Sequence, residues 1–325
     1  MGDRVASHGQ GQGAPHVAVA VLTYRRPEAL RLAMRSVLPQ LAEIQLPATL
    51  LVVDNEPTGS ARHVVAEETV PGSAVRYVHE PRPGISAARN AALRAASDFD
   101  VLLFLDDDET AEPGWLAELV RFWRAHRPAA VTGPVEPIFT GSDSMSWMAR
   151  TGAFERARRP TGARREGFAT NNLLLDLSFL RQHQLGFADE LGLIGGEDTL
   201  LSRQIVACGG VILWCDEAVV REVVARDRLS GRWVRRRAFR SGASWAHAVL
   251  AVEPPVRRRQ LVLRMWARAA VRVPWGSVQW LAGHVLRRPR LAGIGRDTVL
   301  SVCGAVWGAR GGSLNEYGRP SRPGG

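Results

Sequence analysis

The chain contains no lysine; all 42 of its basic residues, in a length of 325, are arginine. That uniformity fits a GC-rich coding bias, and it also argues against one alternative function class. A sugar-phosphate nucleotidyltransferase usually carries a Gly- and Lys-rich phosphate loop near its first strand, and the arginine-bearing TYRRPE stretch found there is a poor substitute. Cysteine is scarce: Cys208, Cys215 and Cys303 form no CxxC pair and are too few for a disulfide scaffold, which suits a reducing cytoplasm. Long apolar runs are missing, with no stretch reaching the 18 uninterrupted residues of a spanning helix. No Ser or Cys sits in a nucleophile motif such as GxSxG, so a covalent enzyme intermediate is not indicated. The first fifteen residues lack the basic start and apolar run of a signal peptide, and they are expected to form a loose tail.

What is present supports a large folded domain, because 46% apolar content over this length can bury a sizeable core. Charge divides the chain. Residues 1–220 hold 21 arginines against 27 acids, a balance of −6, whereas residues 221–325 hold 21 against 5, a balance of +16. The expected organisation is a tail over 1–15, an α/β domain over 16–226 and a basic helical region over 227–325.

Short β-branched runs alternate with helical patterns in the first part, as in a sheet built from βαβ units. Strands are expected at residues 16–23, 49–53, 75–78 and 101–105, with helices opening at Pro27 and after Pro83-Gly84. Each strand delivers polar residues at its carboxyl end, the edge where open α/β sheets bind ligands.

The strongest chemical signal is Asp106-Asp107-Asp108-Glu109 at the end of the VLLFL strand. Four adjacent acids repel one another unless a cation or strong donors compensate them. A hard divalent ion, Mg²⁺ or Mn²⁺, would bridge such carboxylates to a diphosphate; a solvated turn capping the next helix is the competing reading. A second cluster, Gly195-Gly196-Glu197-Asp198, precedes a helical stretch. Its acids suit either a helix cap or a general base presented to an acceptor hydroxyl, with the glycines allowing close approach.

Taken in order, TYRRPEAL, LVVDNE, GISAARNAAL, LFLDDDE and GGEDTLL resemble the family 2 glycosyltransferases, inverting enzymes of GT-A fold. The likeness covers roughly residues 16–240, and its pieces most resemble the succinoglycan-type enzymes of bacterial exopolysaccharide synthesis. It implies a nucleotide-binding sheet with mixed acceptor-side strands. Thr23, Tyr24 and Asp54 would hold the base and ribose of a nucleotide-sugar donor, by default a UDP-sugar, with Arg89 near its ribose or phosphates. Asp106 and Asp108 match the outer acids of the DxD motif, with Asp108 as direct metal ligand and Asp106 shared between metal and ribose. Asp198 matches the catalytic base, and Glu197 would orient the acceptor. Trp147 and Asn171 would line the acceptor wall, where Trp147 is equally well read as a packing anchor.

One departure stands out: where relatives carry a metal-binding histidine after the last strand, this chain reads Val219-Val220-Arg221-Glu222. Arginine cannot ligate a metal. Either Glu222 replaces the histidine, or Arg221 contacts the diphosphate, or the metal relies on Asp108 alone, and the second reading is preferred here. A noncatalytic nucleotide-sugar binding protein is the remaining competitor, but it would have no need of Asp198.

From about Asp227 onward, Trp, Leu and Val recur among arginines. The pattern suits basic amphipathic helices lying on an anionic leaflet, such as the inner face of the cell membrane, where a saccharide or lipid-linked acceptor is met. A helical cap on the catalytic domain is the alternative. Nucleic acid is not expected as a partner, since the aromatics follow no RNA-binding motif.

Overall fold

The computed structural model describes residues 14–141 and 146–312; most of the expected tail lies outside them. The first part runs β1 (Val17–Thr23), α1 (Pro27–Glu43), β2 (Ala48–Asp54), α2 (Arg62–Glu68), β3 (Val75–His79), α3 (Ile85–Ala95) and β4 (Val101–Asp106). It continues with β5 (Glu109–Ala111), α4 (Trp115–His126), β6 (Ala130–Thr132), β7 (Val135–Ile138), α5 (Trp147–Arg150), β8 (Arg164–Arg165), β9 (Leu173–Asp176), α6 (Leu177–Gln182), α7 (Glu197–Ala207), β10 (Ile212–Trp214) and β11 (Val220–Val223). Three helices follow: α8 (Gly231–Ala251), α9 (Pro255–Val285) and α10 (Pro289–Gly308).

Eight strands form one sheet in the order β3-β2-β1-β4-β9-β6-β10-β8, and β5, β11 and β7 form a second. β3, β2, β1 and β4 are mutually parallel, while β9 runs antiparallel between β4 and β6. The parallel half is therefore a βαβ sheet, and the far half is mixed.

β1, β2 and β4 are largely apolar along their length because both faces are covered. Val17, Val19 and Val21 point to the side where Leu30, Met34 and Val37 of α1 pack with Trp115, Leu119 and Trp123 of α4. Ala18, Ala20 and Leu22 point to the other side, against Ala88 and Ala92 of α3 and Leu201 and Ile205 of α7. This period-2 division fixes register, since a one-residue slip would exchange the two sets.

The helices α8, α9 and α10 pack through glycine. An added Cβ at Gly304 of α10 would overlap the carbonyl oxygen of Phe239 on α8, and one at Gly242 of α8 would overlap that of Ser301. Gly283 of α9 is pressed in the same way against Ala292 of α10. Gly304→Leu is accordingly expected to cost about 3 kcal/mol through overpacking. A chemical-denaturation midpoint unchanged from the parent would contradict that close approach.

Candidate active site

The parallel strands bring the first set of candidate residues to one edge. Thr23 ends β1 and pairs in register with Asp54 at the end of β2, and Leu22 pairs with Asp106 at the end of β4. Their carboxyl ends thus meet side by side, as the alternation of elements predicts.

Side chains at that edge divide the work. The Thr23 hydroxyl donates to Asp107 at 2.8 Å, and Arg26 donates to both Asp107 and Asp108 at 3.1 Å. Asp107 therefore turns back towards β1 and shapes the turn. Asp54 is fully buried, and its carboxylate accepts from the amides of Glu56 and Ala61 and from the Tyr77 hydroxyl at 2.7–2.9 Å. A ribose contact at Asp54 would have to share oxygens already engaged in the turn after β2. Tyr24 is half-buried at the same edge, with the Arg25 guanidinium 5.2 Å above its ring.

Around the acidic run, the second sheet supplies a wall. Glu222 of β11 lies opposite Glu109 of β5, and Arg221 lies opposite Thr110. Alternation along β11 then separates the two neighbours. Glu222 faces the acids, taking Arg228 at 2.7 Å and Arg156 at 3.4 Å, while Arg221 pairs with Glu112 at 2.8 Å. The structure does not bring Arg221 to the acidic run; the preferred sequence reading gives way to Glu222 because successive strand residues point to opposite faces.

Arg228 also reaches Asp108, at 2.8 Å, and so bridges Asp108 and Glu222. Glu109 is buried, receiving the Asp106 amide at 3.2 Å and the Asn171 side-chain amide at 2.6 Å. The Asn171 carbonyl in turn accepts from Arg156 at 2.8 Å. Asn171 is thus engaged at both ends as a brace behind the acids. Trp147, on α5, is half-exposed with its ring 6.0 Å from that of His284 on α9, which ties it to the helical part.

Charge crowding at this edge is strong. Burial, then the Asp108 carboxylate, pushes Asp106 up to about 7, and burial raises Asp107 and Glu109 as well. Among the described residues the Asp106 carboxylate accepts no hydrogen bond, although it is half-buried. No group of three His, Cys, Asp or Glu side chains among the described residues is arranged as a ready-made metal cage. The donor set nonetheless fits a hard divalent ion of the Mg²⁺ type, which takes one or two carboxylates and fills its remaining positions from phosphate and water. Asp106 and Asp108 would hold it, with Glu222 beside them.

The second cluster closes the other side. Gly195 and Gly196 both have positive φ, 81° and 100°, and Gly196 precedes the first turn of α7. A Cβ at Gly196 would stand 2.8 Å from the Ser244 carbonyl oxygen of α8, so glycine is required there by packing as well as by backbone. The loop is fastened to α3 by the Ile85 amide on the Gly192 carbonyl, 3.0 Å. Glu197 is buried and forms an ion pair with buried Arg89. Arg89 is therefore turned into the protein, under the loop.

Asp198 is half-exposed; its Oδ1 accepts from the Thr199 amide at 2.6 Å, and no described residue donates to Oδ2. Burial and the neighbouring Glu197 charge push it up to about 6, and the charge of Arg89 works in the opposite direction on both Asp198 and Asp106. One arginine thus stands within electrostatic reach of both clusters. The two acid sites, 92 positions apart in the chain, are linked through one buried guanidinium.

Residues 18–182 match Glycosyl transferase family 2. The chain belongs to that family. It is 37% identical over 236 residues to the succinoglycan biosynthesis protein ExoM of Rhizobium meliloti (strain 1021), covering 70% of this chain and 73% of that protein. Among solved structures it resembles the mannosyltransferase PcManGT from Pyrobaculum calidifontis in complex with GDP-Man and Mn²⁺, with a TM-score of 0.59 and 18% identity over 91% of this chain and 88% of that one. It also resembles GalNAc-T7 with UDP, GalNAc and Mn²⁺, with a TM-score of 0.54 and 15% identity. That match covers 75% of this chain but only 52% of the other. The fold is GT-A and the protein is a glycosyltransferase. Membership in the family sets aside the nucleotidyltransferase and noncatalytic readings.

Arg26, Arg156 and Arg228 complete the acidic edge; Arg26 lies in the TYRRPE stretch with no role assigned to it there, and no sequence motif marks Arg156 or Arg228. Arg228 is 120 positions from Asp108, and only folding of the segment after β11 brings them together.

Proposed function

We propose that the chain transfers a hexose, with inversion, from a nucleotide-diphosphate sugar, by default a UDP-sugar, to a saccharide or lipid-linked saccharide acceptor during exopolysaccharide synthesis. The observation that carries this reading is buried Arg89, ion-paired to Glu197 at the start of α7 and within electrostatic reach of both Asp198 and Asp106. Nucleotide base and ribose would be held along the Thr23, Tyr24 and Asp54 edge, while Glu197 and Arg89 position the catalytic carboxylate of Asp198. Asp198 Oδ2 takes the proton of the acceptor hydroxyl as its oxygen attacks the anomeric carbon and the diphosphate departs from the opposite face. No covalent enzyme intermediate is required, and holding the two reactants in line supplies much of the acceleration.

Mg²⁺ or Mn²⁺, held by Asp106 and Asp108, would neutralise charge on the leaving diphosphate. Arg26 and Arg228 are the cationic side chains beside that position, and they replace Arg221 as donors to phosphate oxygens. Trp147 would face the acceptor, at the seam between α5 and the helices. The reading includes peripheral attachment to an anionic membrane surface on the cytoplasmic side. Among the described residues no helix is long and apolar enough to cross a membrane.

A panel of nucleotide sugars, with release of nucleotide diphosphate followed in the presence of membrane lipid extract, tests the reading. Release is expected with a UDP-sugar plus Mn²⁺ or Mg²⁺, and chelation should lower it by a hundredfold or more, roughly the several kcal/mol a metal supplies. In the same assay Arg228→Ala should raise the donor KM and Arg221→Ala should leave it unchanged. No release with any donor would overturn the proposal.

A further inference from the structure

Helix α9 has a face that no described residue covers. Leu263, Ala267, Val271, Pro274, Val278, Leu281 and Val285 follow one another at spacings of three and four, so they form a single stripe. Its large members are 59–73% exposed. The opposite side of the helix carries Met265, Gly276 and Gly283; Met265 packs into the cluster of Ala246 and Val249 on α8, and the two glycines press on α10. A surface helix normally turns its apolar stripe inward. α9 buries its small residues and presents the large apolar ones to the outside.

Beside the stripe, Arg264, Arg268 and Arg272 recur every four residues, all exposed. None of them pairs with a carboxylate among the described residues. Residues 254–296 contain ten arginines and not one Asp or Glu. Trp266, Trp275 and Trp280 flank the apolar face at 41–62% exposure. At the carboxyl end of α9 opens a cavity of about 690 Å³, lined by Arg150, Arg287, Arg288 and Arg290, the last paired with Glu155 on the same wall, together with Leu291 and Ile294.

We infer that this face of α9 is the membrane-docking surface of the protein, lying in the plane of an anionic leaflet with its apolar stripe among the acyl chains and its arginine row at the phosphates. The inference rests on the membrane-attached reading of the acceptor and gives that reading a specific surface. An apolar stripe flanked by cations and tryptophan matches the boundary layer of a bilayer, where apolar chains lie directly beneath anionic headgroups. A second copy of the chain fits poorly, since like faces would set Arg264, Arg268 and Arg272 against their own copies, and none of the three pairs with a carboxylate among the described residues. The arginine-lined cavity at the end of the stripe would lie at headgroup depth, open to a lipid phosphate.

The test is cosedimentation of the full chain with phosphatidylcholine vesicles, with and without phosphatidylglycerol. Binding is expected only with phosphatidylglycerol, and it should weaken with salt. Arg264→Gln/Arg268→Gln/Arg272→Gln should lower partitioning roughly a hundredfold, and Val271→Ser/Val278→Ser/Leu281→Ser at least roughly tenfold. Both triple variants alter exposed side chains, so thermal midpoints and nucleotide release with a water-soluble acceptor should remain those of the parent.

Parental binding by either folded variant would overturn the inference, as would equal binding to neutral vesicles. So would a dimer, seen by sedimentation without lipid, that the serine variant dissociates. Vesicle binding requires no donor sugar. Failure of every nucleotide sugar would therefore sink the transferase substrate reading and leave this one standing.

Discussion

Asp198→Asn is expected to lower turnover by about 10²–10⁴, the usual contribution of a positioned general base, while nucleotide affinity stays within about twofold. The substitution suits the question because Asn keeps a carbonyl oxygen for the Thr199 amide, so the start of α7 is preserved. What it removes is the proton acceptor at Oδ2. In the parent, Asp198 is pushed up to about 6 by burial and by the Glu197 charge. A base acts in its ionised form, so turnover should climb as pH rises through about 6 and level off above it. Asp198→Asn should flatten that acid limb along with the rate. Unaltered turnover, or a large loss of nucleotide affinity instead, would reject the assignment.

The parallel half of the sheet was legible because β1, β2 and β4 are short, largely apolar runs with a polar residue at the end. Val17–Thr23, Ala48–Asp54 and Val101–Asp106 lie within one or two residues of expectation. Hydrophobic runs report burial on both faces directly, and the sequence order of βαβ units leaves few topologies. The two acidic clusters were legible for a related reason: each sits next to an element start or end in the chain, so its placement is local.

Partners that come from far away were not legible. β11 illustrates the limit. Arg221 and Glu222 are adjacent in sequence, and the choice between them depends on which face of a three-residue-deep pairing with β5 turns inward. Nothing in Val219-Val220-Arg221-Glu222 states that phase. Asn171 shows the same difficulty from the other direction: its amide suits a sugar hydroxyl as well as a carboxylate, and only the fold reveals that Glu109 and Arg156 hold it. In the basic region the composition pointed to amphipathic helices, but glycine packing decides which face of α9 is turned outward.

Arg89→Leu is expected to destabilise the protein by about 3–5 kcal/mol, the cost of leaving a buried carboxylate without its partner. Arg89 and Glu197 are 5% and 3% exposed, so water cannot replace the lost guanidinium, and one Glu197 oxygen is already without a hydrogen-bond partner among the described residues. The pair also joins α3 to the start of α7, which places the damage beside Asp198. Arg89→Leu/Glu197→Leu should recover much of the denaturation midpoint, because removing both charges removes the uncompensated one. Recovery of stability need not bring recovery of function. The positive charge of Arg89 holds down the proton affinity of Asp106 and Asp198, while Glu197 raises that of Asp198. In Arg89→Leu the acid limb of the pH profile should therefore move to higher pH. In the double variant the two losses oppose each other at Asp198, and the limb should return towards its parental position. A merely structural ion pair would move the midpoint and leave the limb where it was; coincident movement of both is what ties this buried pair to the chemistry above it.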